Sequence, residues 1–403
     1  MIREKYQINI VETSLSIVQN RIDSVRKKNI TRTGYRVYKN GQIGVYGQLG
    51  ESAPDPWGQA EENLIRQPVS YPFAPDHSIR QERVIASDLK DHQIMADLER
   101  LLEQARKDNP DFILSNKVNV TQISMLLENS LNTRLYHSDK VLSVGILLKH
   151  RESASIMDAF LGYRARCWDP DLFTSALNQL TQAYLTPMPF PDKEVLVVAE
   201  ADLLAGKLIS ELNGEKVGYK SSLFAGDMGR KVFHDDFSFF LDWNEQDQYH
   251  TPFFDAEGTV CPDNRQISLI NRGVIEKAYT DKRTADLFNM PLTGSAVCPY
   301  DGVPALGAGN FNIMRSEKTL TELLDGRPGV LIAMASGGDY TEEGKFATPV
   351  QLAFLTDGKK LLGRLPEFNV SGNLYDLFGR DYIGFSSDRF WGGEPMLVVK
   401  MKT

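Results

Sequence analysis

Arg36-Val37-Tyr38-Lys39-Asn40-Gly41-Gln42-Ile43-Gly44-Val45-Tyr46 is the stretch that decides the fold class. β-formers alternate on both sides of Asn40-Gly41, and that dipeptide supplies the two positive φ angles a two-residue hairpin turn requires. Toward the N-terminus, Tyr6 to Val11 alternates in the same way and Leu15 to Val18 continues the pattern, so the first fifty residues read as an antiparallel meander. Toward the C-terminus, Pro54, Pro56, Pro68, Pro72 and Pro75 fall in a glycine-bearing stretch from Gly47 to about Pro75. Proline cannot donate to a ladder, and this density predicts a long surface excursion without regular pairing.

From Ser87 to Lys107 the period changes. Ile94, Leu98, Leu101, Leu102 and Ala105 share one face of an amphipathic helix, with Ser87 or Asp88 as its cap. Strands are expected over Lys117–Leu127, Arg134–His137, Val141–Lys149 and Ser155–Tyr163, and a second helix from Asp171 to about Tyr184. Pro187, Pro189 and Pro191 then stiffen residues 187–192 into an inter-domain linker, dividing the chain into domains 1–186 and 193–403. The second half opens with a strand at Val195–Val198 and a helix at about Ala201–Leu212, followed mainly by strands and glycine turns. Strands mixed with a few amphipathic helices, without βαβ alternation, indicate an α+β fold in two domains rich in antiparallel strands.

The bulk numbers exclude several classes. The 403 residues are 42% hydrophobic and 24% charged, an ordinary globular composition. No apolar run approaches the roughly 20 residues that cross a bilayer, and Met1-Ile2-Arg3-Glu4-Lys5 leads into no signal-peptide core, so a cytoplasmic protein without membrane contact is expected. The net charge of −8 argues against nucleic acid as a partner. The densest basic run, Arg26-Lys27-Lys28 with Arg32 and Arg36 beyond it, reads as a solvated face of a strand region. Cys167, Cys261 and Cys298 are odd in number and far apart, offering neither a disulfide framework nor a zinc knuckle. Among the six histidines no pair has helical metal spacing. His234-Asp235-Asp236 is the one cluster of metal-binding residue types, and beside Phe237, Phe239 and Phe240 it reads as the wet side of an alternating strand. No nucleophile elbow or phosphate loop is present, and neither metal nor cofactor is expected.

A series of segments in the second half resembles the TldD/PmbA family in order. Tyr219-Lys220-Ser221-Ser222-Leu223-Phe224 leads into Gly226-Asp227-Met228-Gly229, then Thr251-Pro252-Phe253-Phe254-Asp255-Ala256-Glu257-Gly258. Leu269–Ile275, Thr293-Gly294-Ser295-Ala296, Gly309-Asn310-Phe311, Gly329–Ile332, Asp357-Gly358-Lys359 and Val370-Ser371-Gly372-Asn373-Leu374 follow. The first half matches more loosely, and residues from about 50 to 110 fit poorly. Catalytic members on the TldD side resemble zinc peptidases with an HExxxH helix, in which two imidazoles hold the metal and the glutamate handles protons. Counting back from Ser222, those positions are Ala205, Gly206 and Ser210, and no cysteine follows Cys298 to complete such a site.

The resemblance therefore implies the TldE/PmbA side of the family: a non-catalytic, metal-free subunit. Its partner would be a TldD-like catalytic chain in a heterodimer that processes unfolded peptides. Asp255, Glu257, Gly258, Gly294, Asn310 and Asn373 become candidates for peptide binding or the interface, and the same residue types equally suit turns and strand ends. A homodimeric peptide-binding or scaffold protein is the alternative, and an enzyme with a site rebuilt around His234 a third reading. The family's label as a modulator of DNA gyrase finds no support in the acidic balance.

Overall fold

The computed structural model describes residues 1–50, 54–191, 194–307, 309–390 and 393–403. The chain opens with β1 (Ile2–Val18), β2 (Arg21–Lys39) and β3 (Gln42–Leu49), then α1 (Pro56–Arg66), β4 (Val69–Ser70) and β5 (Arg80–Val84). α2 (Asp91–Asp108), β6 (Phe112–Asn129), β7 (Arg134–His150), β8 (Ala159–Ala165) and α3 (Pro170–Leu185) complete the first half. Its sheet has the order β4-β3-β2-β1-β6-β7-β5, with β8 also on β7. All of these pairs are antiparallel except β5 with β7. Asn40 (φ 54°) and Gly41 (φ 73°) make the expected hairpin, and Gln19 (φ 49°) and Asn20 (φ 61°) make a second one between β1 and β2.

The second half opens with β9 (Glu194–Ala199), followed by α4 (Asp202–Glu211). β9 lies inside another large sheet, parallel to Gly329–Ala335 and antiparallel to Leu397–Lys402. A smaller sheet joins Phe239–Asp242 to Gln266–Asn271 and Phe311–Ile313, and a two-stranded ribbon pairs Ala296–Val297 with Ala305–Leu306. The fold is α+β, as strands mixed with a few helices and no βαβ alternation indicate. One apolar core crosses the chain: Leu98 and Leu102 of α2, Phe173 and Leu180 of α3, and Val198 and Val398 of the second large sheet belong to a single cluster. Among the described residues, no helix is long and apolar enough to cross a membrane.

Four local expectations change. The stretch from Gly47 to Pro75 holds helix α1, because Asp55 accepts a hydrogen bond from the Gly58 N–H (2.9 Å) and Pro56 is preset for the first helical turn. Beyond it, Tyr71 is buried against the second half; residues 51–53 lie outside the described residues. α2 begins at Asp91, since the Ser87 hydroxyl is committed to the Arg166 carbonyl (3.1 Å) and caps nothing. The strands expected over Arg134–His137 and Val141–Lys149 are one strand. His234–Asp236 forms an exposed turn ahead of Phe239–Asp242, with Lys231 paired to Asp235.

The proline segment is held in place: the Met188 N–H donates to the Arg364 carbonyl (2.8 Å), and the Arg364 N–H to the Thr186 carbonyl (2.8 Å). Asp192, the last residue of the expected linker, lies outside the described residues.

Candidate functional site

Where loops of the second half cross the face of the first sheet, they leave a cavity of about 450 Å³. Tyr6 and Ile8 of β1 and Met125 of β6 form one wall, and Ile8 and Met125 are ladder partners. Trp243, Phe254, Asp255, Gly294, Cys298 and Asn310 line the other side. The contact depends on paired glycines. Gly34 and Gly47 face each other in the β2–β3 ladder, and a Cβ at Gly34 would sit 2.0 Å from the Tyr300 carbonyl oxygen. At Gly47 it would sit 2.1 Å from the Asp301 Cβ. Only glycine at both positions leaves room for the loop carrying Cys298, Tyr300 and Asp301 to lie on the sheet.

Three of the six candidate residues line this cavity, and two more sit directly behind it. Asp255 organises its own turn: Oδ1 accepts from the N–H groups of Glu257 and Thr259 (both 2.9 Å), and Oδ2 accepts from Ala296 N–H (3.1 Å). Gly294 (φ 70°) and Gly258 (φ 79°) provide backbone turns that a side chain would strain, and Gly258 packs on Leu127. Asn310 is tied to Asp242, whose N–H donates to the Asn310 carbonyl (2.7 Å). Glu257 is buried; Oε1 accepts from the Tyr71 hydroxyl and Oε2 from the Lys282 N–H (2.9 Å). Asn373 stands apart in the second large sheet, where its side chain caps the short helix Leu374–Leu377.

Burial raises the Asp255 carboxyl to about 6. Burial, and then the neighbouring Asp255, raise Glu257 to about 7. Beneath them lies Arg36, expected on a solvated face and in fact fully buried. Its Nη1 donates to Glu4 Oε1 (3.1 Å) and to the Ala256 carbonyl (2.7 Å), and its guanidinium lies 4.8 Å from the Tyr6 ring centroid. Tyr38 donates to the same Glu4 oxygen (2.8 Å). Among the described residues, Arg36 Nε and Nη2 and Glu4 Oε2 have no hydrogen-bond partner. The Cys298 thiol beside this group is pushed up by burial.

A second polar contact joins β7 to the loop near residue 250. Arg166 grips Asp139 through Nε and Nη2 (both 2.7 Å) and also donates to the carbonyls of Glu245 and Gln248. The His250 N–H donates to Asp139 Oδ2 (2.7 Å). Burial lowers both His137 and His250 to about 4, so both are neutral near pH 7. Asp139 is pushed up by its burial, yet the Arg166 hydrogen bonds bring it below the usual carboxylate range.

The positions where the resemblance places a zinc helix lie on α4. Ala205 is buried and lines a separate cavity of about 310 Å³ together with Ile209, Glu200 and Tyr249. Gly206 is exposed, and Ser210 accepts from the Lys216 ammonium (2.9 Å). These residues do not fit a zinc ion, which takes imidazole, thiolate or carboxylate ligands. Among the described residues, no three His, Cys, Asp or Glu side chains are grouped to hold a metal.

Sequence reasoning did not find Tyr6, Arg36, Tyr71, Lys282 or Cys298 in this region. The available signal was Arg36 itself, which occupies an inward position between Tyr35, Val37 and Tyr38.

Residues 196–402 match the PmbA/TldA metallopeptidase C-terminal domain. The zinc metalloprotease TldD homolog of Saccharolobus solfataricus is 22% identical over 246 residues, 57% of this chain, and the match spans about half (54%) of that relative's length. The crystal structure of TldE from Thermococcus kodakarensis superposes with a TM-score of 0.77 at 18% identity, covering 100% of this chain and 95% of that one. A proposed modulator of DNA gyrase from Thermotoga maritima gives 0.76 at 16% identity, over 100% of this chain and 95% of that one. Another from Bacteroides thetaiotaomicron gives 0.78 at 15%, over 100% of this chain and 94% of that one. With half of its length matched to the family and the fold shared over the whole of it, the chain belongs to the TldD/PmbA family.

Proposed function

We propose that the chain is the metal-free, non-catalytic subunit of a TldD/TldE-type zinc peptidase, joining a TldD-like catalytic chain to process unfolded peptides in the cytoplasm. One observation carries this reading: the positions where the resemblance places the zinc helix hold Ala205, Gly206 and Ser210. A methyl, a hydrogen and a hydroxyl offer no imidazole to hold zinc and no carboxylate to take a proton from bound water. The cavity beside Asp255, Gly294 and Asn310 supports a role in holding peptide. It has an apolar wall on the first sheet, with backbone turns and a few polar groups opposite. In the same reading, residues 1–186 and 193–403 are two domains joined at 187–192.

A peptidase assay on an unstructured peptide tests the proposal, using this chain alone, a TldD-like chain alone, and both with and without chelator. Chelator-sensitive cleavage that requires the mixture supports it. Chelator-insensitive cleavage by this chain alone refutes it, and inactivity in every combination favours the homodimeric scaffold.

A further inference from the structure

β2 is 19 residues long, but its outer neighbour β3 covers only Arg32 to Lys39. β3 leaves the ladder where the Gly50 N–H (φ 80° at Gly50) donates to the Thr31 carbonyl (2.8 Å). That bond sets the direction of the backbone, because in an antiparallel ladder both polar groups of one residue point to the same side. Val25, Lys27 and Asn29 therefore turn their N–H and C=O groups away from β1, and among the described residues no strand meets them. Asp23 to Lys27 and Asn29 are exposed, and Val25 keeps 48% of its surface in water.

Arg21 to Arg32 carries five basic residues, Arg21, Arg26, Lys27, Lys28 and Arg32, against the single acid Asp23, in a chain of net charge −8. In the ladder Arg26 lies opposite Ser14 and Lys27 opposite Thr13. Of the three consecutive cations, only Lys28 has an acid across the ladder, Glu12 at 2.7 Å. Successive residues face opposite sides of the sheet, so positive charge flanks the open edge above and below.

Lysines on an edge strand discourage pairing with a like edge. Two copies of this edge laid together would oppose cation to cation, which disfavours self-association. For an acidic strand the same charges are attractive.

We propose that the outer edge of β2, Val25 to Asn29, is a docking site for an extended acidic protein segment that adds to the sheet as an extra strand. Main-chain hydrogen bonds to Val25, Lys27 and Asn29 would give the affinity, and Arg26, Lys27 and Lys28 the preference for Glu and Asp. This site is separate from the cavity and does not depend on the peptidase reading.

The test is fluorescence anisotropy on the full chain with a labelled peptide of roughly ten residues alternating Glu with Val and Thr. Controls are the Lys-for-Glu peptide and a single-stranded oligodeoxynucleotide. The acidic peptide is expected to bind and to weaken as salt rises. Arg26→Glu with Lys28→Glu weakens it by about tenfold or more. Val25→Pro, which removes one outward N–H and no charge at a position where an edge strand tolerates proline, weakens it several-fold while the far-ultraviolet dichroism stays that of the parent.

Any of these results overturns the proposal: no binding at roughly millimolar peptide; equal binding by the charge-reversed chain; equal binding by the proline variant, which leaves charge attraction alone; or tighter binding of the oligonucleotide. Self-association that charge reversal abolishes would also overturn it, by assigning the edge to a second copy.

Discussion

Two of the places where the second half meets the first sheet are built on opposite plans. At Arg36 the guanidinium and Glu4 are both sealed from water, and among the described residues two of the nitrogens and one oxygen have no hydrogen bond. At Arg166 the guanidinium keeps 15% of its side-chain surface exposed, and Asp139, fully buried, receives three hydrogen bonds from Arg166 and His250. Both are ion pairs, but only the second returns most of what desolvation removed. A buried arginine is thus no measure of stability in itself; what counts is how many of its donors find acceptors.

The largest expected effect breaks the well-satisfied contact. Asp139→Ala leaves Arg166 without its carboxylate and the His250 N–H without an acceptor, at a cost of about 3–5 kcal/mol. Denaturant unfolding measures it; a loss under about 1 kcal/mol would show that the contact holds nothing together.

The second effect is an opposition in pH dependence. His137 and His250 fall from 6.5 to about 4 on folding, so the unfolded chain binds more protons between those values. Their contribution is present above 6.5 and lost as pH falls through 4. Asp255 and Glu257 rise from 3.8 and 4.5 to about 6 and about 7, so their contribution is present below 4 and lost as pH rises through 7. Between pH 4.5 and 6 the two slopes oppose each other. With two histidines set against two carboxyls the parent changes little there, so Glu257→Gln should leave a net gain in stability with rising pH and His137→Phe a net loss, each of up to about 2 kcal/mol across the window. Melting temperatures from pH 4 to 7 read both; parallel curves for the two variants would contradict the assignment.

The smallest effect is expected at the under-satisfied contact. Replacing both charges, Arg36→Met with Glu4→Leu, should leave stability within about 1 kcal/mol of the parent or raise it, while Arg36→Met alone costs about 3 kcal/mol by stranding Glu4. A double replacement as damaging as the single one would show that Arg36 matters through Ala256, the backbone it holds, more than through its charge.

Much of this architecture was legible in the chain. Asn40-Gly41 names its turn because few other residue pairs adopt two successive positive φ angles at so low a cost. Ile94, Leu98, Leu101, Leu102 and Ala105 name α2 because their spacing permits one buried stripe. Ser138-Asp139-Lys140, by contrast, reads as a break between two strands. Its justification lies 27 and 111 residues away, in Arg166 and His250. Arg36 reads as solvated for the same reason, its acceptor being the backbone of Ala256, 220 residues on. The candidate site divides likewise. Asp255, Gly258 and Gly294 were named through the family's ordered segments, and their turn chemistry is local. Tyr6, Tyr71 and Lys282, which complete their surroundings, were not.

The sequence by itself determined the antiparallel first sheet, the helices α2, α3 and α4, the α+β class and, through its ordered segments, the family. Those features rest on periodicity and turn preference, which act over a few residues. Only the tertiary structure decided that Arg36 and Asp139 are buried, that Gly34 and Gly47 seat a loop, and that the outer edge of the first half of β2 meets no strand among the described residues. Burial, charge pairing and edge exposure depend on which distant segment arrives at a given strand. The physical reason is that the free energy of a buried charge is set by its partners, and these partners are contributed by the other half of the chain.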